Sequence, residues 1–154
     1  MSNADFVIPI EIDGVEHKVF VLKRPGVDRF MREVAQFYEV VVFTASLQKY
    51  ADAVIDRLDV DGFVDRRLFR EHCTIHNGNY VKDLSRLGRE LKNSIIIDNS
   101  PVSYYLQPEN ALPITTWFDD PRDTELLDIL PYLRQMAEAD TVYTHLKECI
   151  KALQ

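Results

Sequence analysis

The segment Ser94-Ile95-Ile96-Ile97-Asp98-Asn99-Ser100-Pro101 constrains this chain most, because a run of β-branched residues stops on an acid, an amide and a proline. Such a run reads as a buried strand. Its end puts oxygen donors at the carboxyl edge of a sheet, which is where open α/β sheets hold their ligands. Phe43-Thr44-Ala45-Ser46 and Tyr80-Val81-Lys82-Asp83-Leu84 add a hydroxyl and an ammonium group to the same reading. Together they predict a magnesium-dependent phosphate site.

The rest of the chain supplies elements for such a sheet. Val7 to Leu22 predicts a β-hairpin, with Phe6, Ile8, Ile10 and Ile12 on one side of its first strand and Asp13-Gly14 at the turn. Val27, Phe30, Met31, Val34 and Phe37 mark one face of a helix. Glu39 to Phe43 is a compact strand with Thr44 at its end, and Gln48 to Leu58 is a second helix. Arg67 to Phe69 reads as a short strand, and Cys73 to Tyr80 as a loop turning at Asn77-Gly78. Pro101 to Gln107 reads as a short helix or turn, and Leu112 to Phe118 as another strand. Asp123 and Asp140 are the expected caps of two final helices, the first kinked or broken at Pro131. Without repeats or a linker, residues 1–154 form one domain.

A net charge of −7 argues against a general polyanion binder, which needs clustered lysine and arginine. Lys82, Arg86, Arg89 and Arg70 suit one phosphate group better than a duplex. No apolar run approaches the roughly 18 residues of a membrane helix. The cysteines, Cys73 and Cys149, lie far apart without metal-ligand spacing, as in a reduced intracellular protein.

Thr44 offers a hydroxyl and nearby backbone amides to a phosphate oxygen. Lys82 offers a charge that neutralises a phosphoryl group, and Asp98 and Asn99 offer the hard oxygens that Mg²⁺ prefers. Phosphoryl transfer asks a protein mainly for positioning and charge neutralisation. Each group alone has a plainer explanation: Thr44 and Asp98-Asn99 as turn residues, Lys82 as part of a solvated face. Their order along the chain is what makes the combination specific.

Longer runs carry a resemblance. Val21-Leu22-Lys23-Arg24-Pro25, Phe43-Thr44-Ala45-Ser46, Leu68-Phe69-Arg70-Glu71, Gly78 through Arg89, Asp98-Asn99-Ser100-Pro101 and Trp117-Phe118-Asp119-Asp120 resemble the small phosphatases acting on the C-terminal domain of RNA polymerase II, within the haloacid dehalogenase superfamily. The resemblance spans about Asn3 to Tyr143. It implies a Rossmann-like α/β fold and Mg²⁺-dependent hydrolysis of phosphoserine in a protein or peptide, through an aspartyl-phosphate, in the nucleus or cytoplasm. On matching positions Thr44 and Lys82 would hold the phosphoryl group, Asn99 would ligate Mg²⁺ with Asp98 beside it, and Arg70 would meet a substrate phosphate. Ile10, Ile12, Val19, Leu47 and Tyr50 would line an apolar pocket for a substrate proline, although alternating isoleucines on a hairpin are equally at home in a core.

One expected part is not found. Members of the family begin this domain with an apolar strand ending in Asp-x-Asp-x-Thr or Val, which supplies the nucleophile and the general acid and base. None of the residues before Phe6 forms such a strand, and Asp59-Val60-Asp61, followed by Gly62-Phe63, reads as a loop. The expectation is an N-terminally truncated domain lacking its first central strand and inactive in this form. The alternative is a catalytically dead relative that still binds phosphopeptides or partners.

Overall fold

The computed structural model describes residues 3–154. Strands β1 (Phe6–Ile12) and β2 (Val15–Val21) form the antiparallel hairpin, pairing Ile8 with Val19 and Ile12 with Val15. Its turn falls on Asp13 and Gly14, both at positive φ, as a tight two-residue hairpin turn requires. Helix α1 (Val27–Val34) follows, then β3 (Val41–Phe43), α2 (Gln48–Leu58) and β4 (Arg66–Leu68). Next come β5 (Thr74–His76), β6 (Asn79–Val81), β7 (Ile96–Asp98) and β8 (Ala111–Pro113), with short 3₁₀ turns between several of them. Helices α3 (Glu125–Ala137) and α4 (Tyr143–Leu153) complete the chain.

The two units β3-α2-β4 and β7-β8 are parallel, with Val42 opposite Arg67 and Ile97 opposite Leu112. Parallel neighbours need a crossover between them, and α2 supplies one. Among the described residues every sheet has two strands, so β3 and β7 share no ladder. The apolar interior is divided accordingly. The largest cluster joins α1, α3, α4 and β8 through Phe30, Leu112, Ile129, Leu133 and Leu146. A smaller one sets Ala51 and Ile55 of α2 against Phe69, and a third holds Leu84, Ile96 and Ala111.

Several local expectations change. Cys73 to Tyr80 is not a loop throughout: β5 and β6 pair across Asn77-Gly78, both at positive φ, in a short hairpin. Asp123 stands at the start of α3 with its carboxylate accepting from the Glu125 amide, and the same carboxylate is held by Arg24, with Nε 2.6 Å from Oδ2. Thr124 stands at the N-cap of α3, and Val142 rather than Asp140 at that of α4. Pro131 lies inside α3 without ending it. The buried Leu126, Ile129, Leu130, Leu133 and Met136 anchor the helix on both sides of the proline, outweighing the lost backbone hydrogen bond. Asp59-Val60-Asp61 is a loop as expected, and the Asp59 carboxylate accepts from the amides of Phe63 and Val64.

Candidate functional site at the carboxyl ends of two parallel strands

Thr44 and Asp98 stand at the carboxyl ends of β3 and β7, and Lys82 directly follows β6. The Lys82 ammonium lies 2.6 Å from Asp98 Oδ2, with side-chain exposures of only 12% and 9%. Taking two charges out of water is costly unless they pair closely, so the pair has to form for these groups to occupy these places. The Lys82 amide donates to the Ser103 carbonyl at 2.8 Å, fixing where the side chain starts. Asp98 Oδ1 accepts from the Ser100 amide at 2.9 Å, which folds Asn99-Ser100-Pro101 back over the strand end.

Thr44 begins a compact turn, its Oγ1 accepting from the Ser46 amide at 3.0 Å. Arg70 is tied to that turn twice, donating from Nε to the Ala45 carbonyl at 2.8 Å and from its amide to the Ser46 carbonyl. Its guanidinium lies 5.2 Å from the centre of the Tyr80 ring. Cys73 lies among these groups, with Sγ 4.0 Å from the Thr44 carbonyl. Burial pushes its thiol up, and the charges of Lys82 and Arg70 partly offset this. Tyr104 is also pushed up, mainly by burial and further by the negative charge of Asp98. Thr44, Arg70, Lys82 and Asp98 are thus gathered around one corner, together with Cys73, Tyr80 and Tyr104, which sequence reasoning missed. Those three carried no signal beyond ordinary apolar or aromatic patterning.

Asn99 donates from Nδ2 to Thr116 Oγ1 at 3.0 Å, which leaves its carbonyl oxygen to accept or to ligate. With the Asp98 carboxylate this gives hard oxygen donors, the chemistry of a Mg²⁺ site that completes its shell with water and phosphate. The donor set fits the ion in kind. Among the described residues no group of three or more His, Cys, Asp or Glu side chains converges as a metal site.

Ile10, Ile12 and Val19 share one face of the hairpin, because residues directly opposite in a ladder point the same way. At the base of that face Phe6 and Ile8 are buried, and β1 packs on α2. Toward the tip Ile12 is exposed and Ile10 half-buried, and Val19, opposite Ile8, is exposed as well. Leu47, at the N-cap of α2, is exposed, and Tyr50 within that helix is half-buried. The core explanation therefore covers Phe6 and Ile8 and leaves the outer apolar residues unexplained by packing.

An α/β domain with a hydroxyl, a lysine and a carboxylate at parallel strand ends is of the class that binds ligands at that edge. Within that class the chain belongs to the NLI interacting factor-like phosphatase family, whose profile matches residues 1–143. The resemblance to small phosphatases of the haloacid dehalogenase superfamily is borne out. The chain is 59% identical over 146 residues to the Homo sapiens CTD small phosphatase-like protein, covering 95% of this chain and 53% of that protein. It is 62% identical over 143 residues to CTD small phosphatase-like protein 1 of Caenorhabditis elegans, covering 93% and 29%. The chain therefore spans about half or less of the length of these relatives. In fold it is similar to the RNA polymerase II CTD phosphatase Fcp1, with a TM-score of 0.71 at 16% identity over 86% of this chain and 51% of that one. Among the described residues no helix is long and apolar enough to cross a membrane.

Proposed function

We propose that this domain belongs to a Mg²⁺-dependent protein serine/threonine phosphatase of the RNA polymerase II CTD small phosphatase type, acting on phosphoserine in a protein or peptide. The observation that carries this reading is the Lys82–Asp98 pair beside Thr44, in a chain 56% identical over 148 residues to the Homo sapiens enzyme named carboxy-terminal domain RNA polymerase II polypeptide A small phosphatase 1. Thr44 and Lys82 bind the phosphoryl oxygens, Thr44 through its hydroxyl and the amides of its turn, Lys82 through charge. Asp98 holds the lysine in place, and Asn99 presents its carbonyl oxygen beside it. Mg²⁺ bound at Asp98 and Asn99 would withdraw charge from the phosphoryl group. Arg70, braced on Ala45 and Ser46, receives a further substrate phosphate. Ile10, Ile12, Val19, Leu47 and Tyr50 offer an apolar rest for residues beside the phosphoserine. The two free cysteines suit a reduced compartment, the nucleus or cytoplasm.

Three carboxylates that would be candidates for a nucleophile are each engaged by the fold. Asp98 is engaged by Lys82, Asp59 is tied into its loop, and Asp83 accepts from Ser85 and Gln107. The 154-residue chain is accordingly expected to bind phosphoserine peptides without hydrolysing them. The binding-only reading rests on the same fact, since Thr44, Lys82 and Arg70 need no nucleophile to hold a phosphate.

The test is to incubate the purified chain and Mg²⁺ with an aryl phosphate, and to titrate a phosphoserine peptide in parallel. Absent turnover, with peptide binding weakened about tenfold or more by Arg70→Ala, supports the proposal. Turnover that Lys82→Ala abolishes would show that the chain carries a nucleophile after all. Absence of both turnover and binding would sink the reading for this chain.

A further inference from the structure

Arg70 is exposed, and among the described residues no carboxylate pairs with its guanidinium. Its Nε–H is spent on the Ala45 carbonyl at 2.8 Å, which leaves the N–H groups of both Nη atoms for a ligand. One hydrogen bond does not fix the direction in which that fork opens. The Tyr80 ring supplies a second constraint, with Arg70 Cζ lying over it 5.2 Å from its centre, inside the range at which a ring face attracts a cation. A guanidinium held against a ring loses rotations that it keeps in open water, so the fork is presented in fewer orientations.

The β5–β6 hairpin places Tyr80 for this. Val81 is 1% exposed, so β6 turns that side chain inward and its neighbour Tyr80 outward, to 40% exposure. Lys82 stands two residues beyond Tyr80, the spacing at which strand side chains share a side. Ile75, opposite Tyr80 in the ladder, is 71% exposed and gives the ring little shelter. A ring so open to water gains little from burial, and the cation it covers accounts for its position. We propose that Tyr80 is a positioning residue for anion binding: its ring face holds the Arg70 guanidinium so that both Nη atoms meet the phosphate of a phosphorylated peptide. The inference rests on the phosphate reading of this corner and adds to it a group that never touches the phosphate. It requires the ring face and not the hydroxyl. Tyr80→Leu keeps apolar bulk without that face, whereas Tyr80→Phe keeps the face.

The experiment titrates a phosphoserine peptide and its unphosphorylated counterpart against the purified chain and its variants. These are Tyr80→Leu, Tyr80→Phe, Arg70→Ala, and Tyr80→Leu combined with Arg70→Ala, with Tm measured for each. Tyr80→Leu should weaken the phosphopeptide about threefold to fivefold, and Tyr80→Phe should bind as the parent does. The unphosphorylated peptide should not register the change, and Tyr80→Leu should add no loss once Arg70 is gone. In the parent chain, the Arg70 side-chain protons should show the upfield displacement of protons over an aromatic ring, a readout that needs no variant to fold. Absence of that displacement would overturn the proposal. So would unchanged affinity in Tyr80→Leu, an equal loss in Tyr80→Phe, an equal loss for the unphosphorylated peptide, or a loss that persists without Arg70; each leaves phosphate binding at the corner intact. Failure of the parent chain to bind the phosphopeptide would instead sink the phosphate reading, and this inference with it.

Discussion

Arg24 reaches across the fold to Asp123, 99 positions away in sequence, and holds its carboxylate at 2.6 and 3.0 Å. The same guanidinium donates to Glu125 and to the Thr115 carbonyl, so one side chain ties the segment after the hairpin to the start of α3. The hydrogen bond from Arg24 and its charge hold the Asp123 carboxyl below the usual aspartate range.

An acid-sensitivity prediction follows from that pair. A carboxyl whose folded pKa is depressed contributes stability that is present above its unfolded pKa, about 4. That contribution is lost as pH falls through the folded value. Arg24→Met should cost about 1.5–3 kcal/mol at pH 7. The gap between variant and parent should narrow as pH drops below about 4. Urea unfolding across pH 3–7 checks this; a gap independent of pH would mean that Arg24 acts through packing alone.

Removing the ammonium from the other strong pair leaves Asp98 nearly buried and uncompensated. Lys82→Met should destabilise the domain by about 3 kcal/mol, and Lys82→Met combined with Asp98→Leu should recover much of the loss. A double-mutant cycle by denaturant unfolding measures the coupling. Additive effects would show that the two side chains are energetically independent despite their 2.6 Å separation.

Gly26 sits in the left-handed region at φ 82°, and a Cβ there would lie 2.7 Å from Leu127 Cγ. Gly26→Ala should therefore cost about 2–4 kcal/mol, the sum of overpacking and a left-handed alanine. Adding Leu127→Ala should relieve the clash and leave the backbone part. Tm of the single and double variants decides the split.

The two thiols should differ in alkylation. Cys149 is fully buried, and burial pushes it up to about 11, whereas Cys73 is half-buried and its upward shift is opposed by Lys82 and Arg70. Because the thiolate is the reactive form, iodoacetamide at pH 7.5 should label Cys73 first, and Cys149 only on unfolding. Mass spectrometry over time reads the order. Phosphate that slows labelling of Cys73 would further support binding at that corner.

Local chemistry made the first hairpin, α2 and the Asp59 loop readable from the sequence, because Asp13-Gly14 dictates a tight turn and the residues from Gln48 to Leu58 keep a helical period. It misjudged Asp140, whose capping chemistry goes unused, and it missed that Asp123 divides its carboxylate between the Glu125 amide and a distant arginine. The Thr74–Val81 hairpin escaped notice because its strands are three residues each, too short to show alternation. The strand-end placement of Thr44 and Asp98 was legible in the apolar runs that precede them. The bracing of Arg70 on Ala45 depends on a contact between residues 25 apart, which no local pattern encodes.

The corner proposed to take phosphate is split between the two parallel pairs, β3-β4 and β7-β8, which share no ladder. Thr44 and Arg70 ride with β3, α2 and β4, while Asp98 rides with β7 and β8, and Lys82 is fastened to Asp98 rather than to Thr44. A phosphate gripped from both banks must hold them at a fixed spacing, so its apparent affinity is scaled by the fraction of molecules already at that spacing. Anything that staples the banks together would tighten phosphate binding without touching the anion.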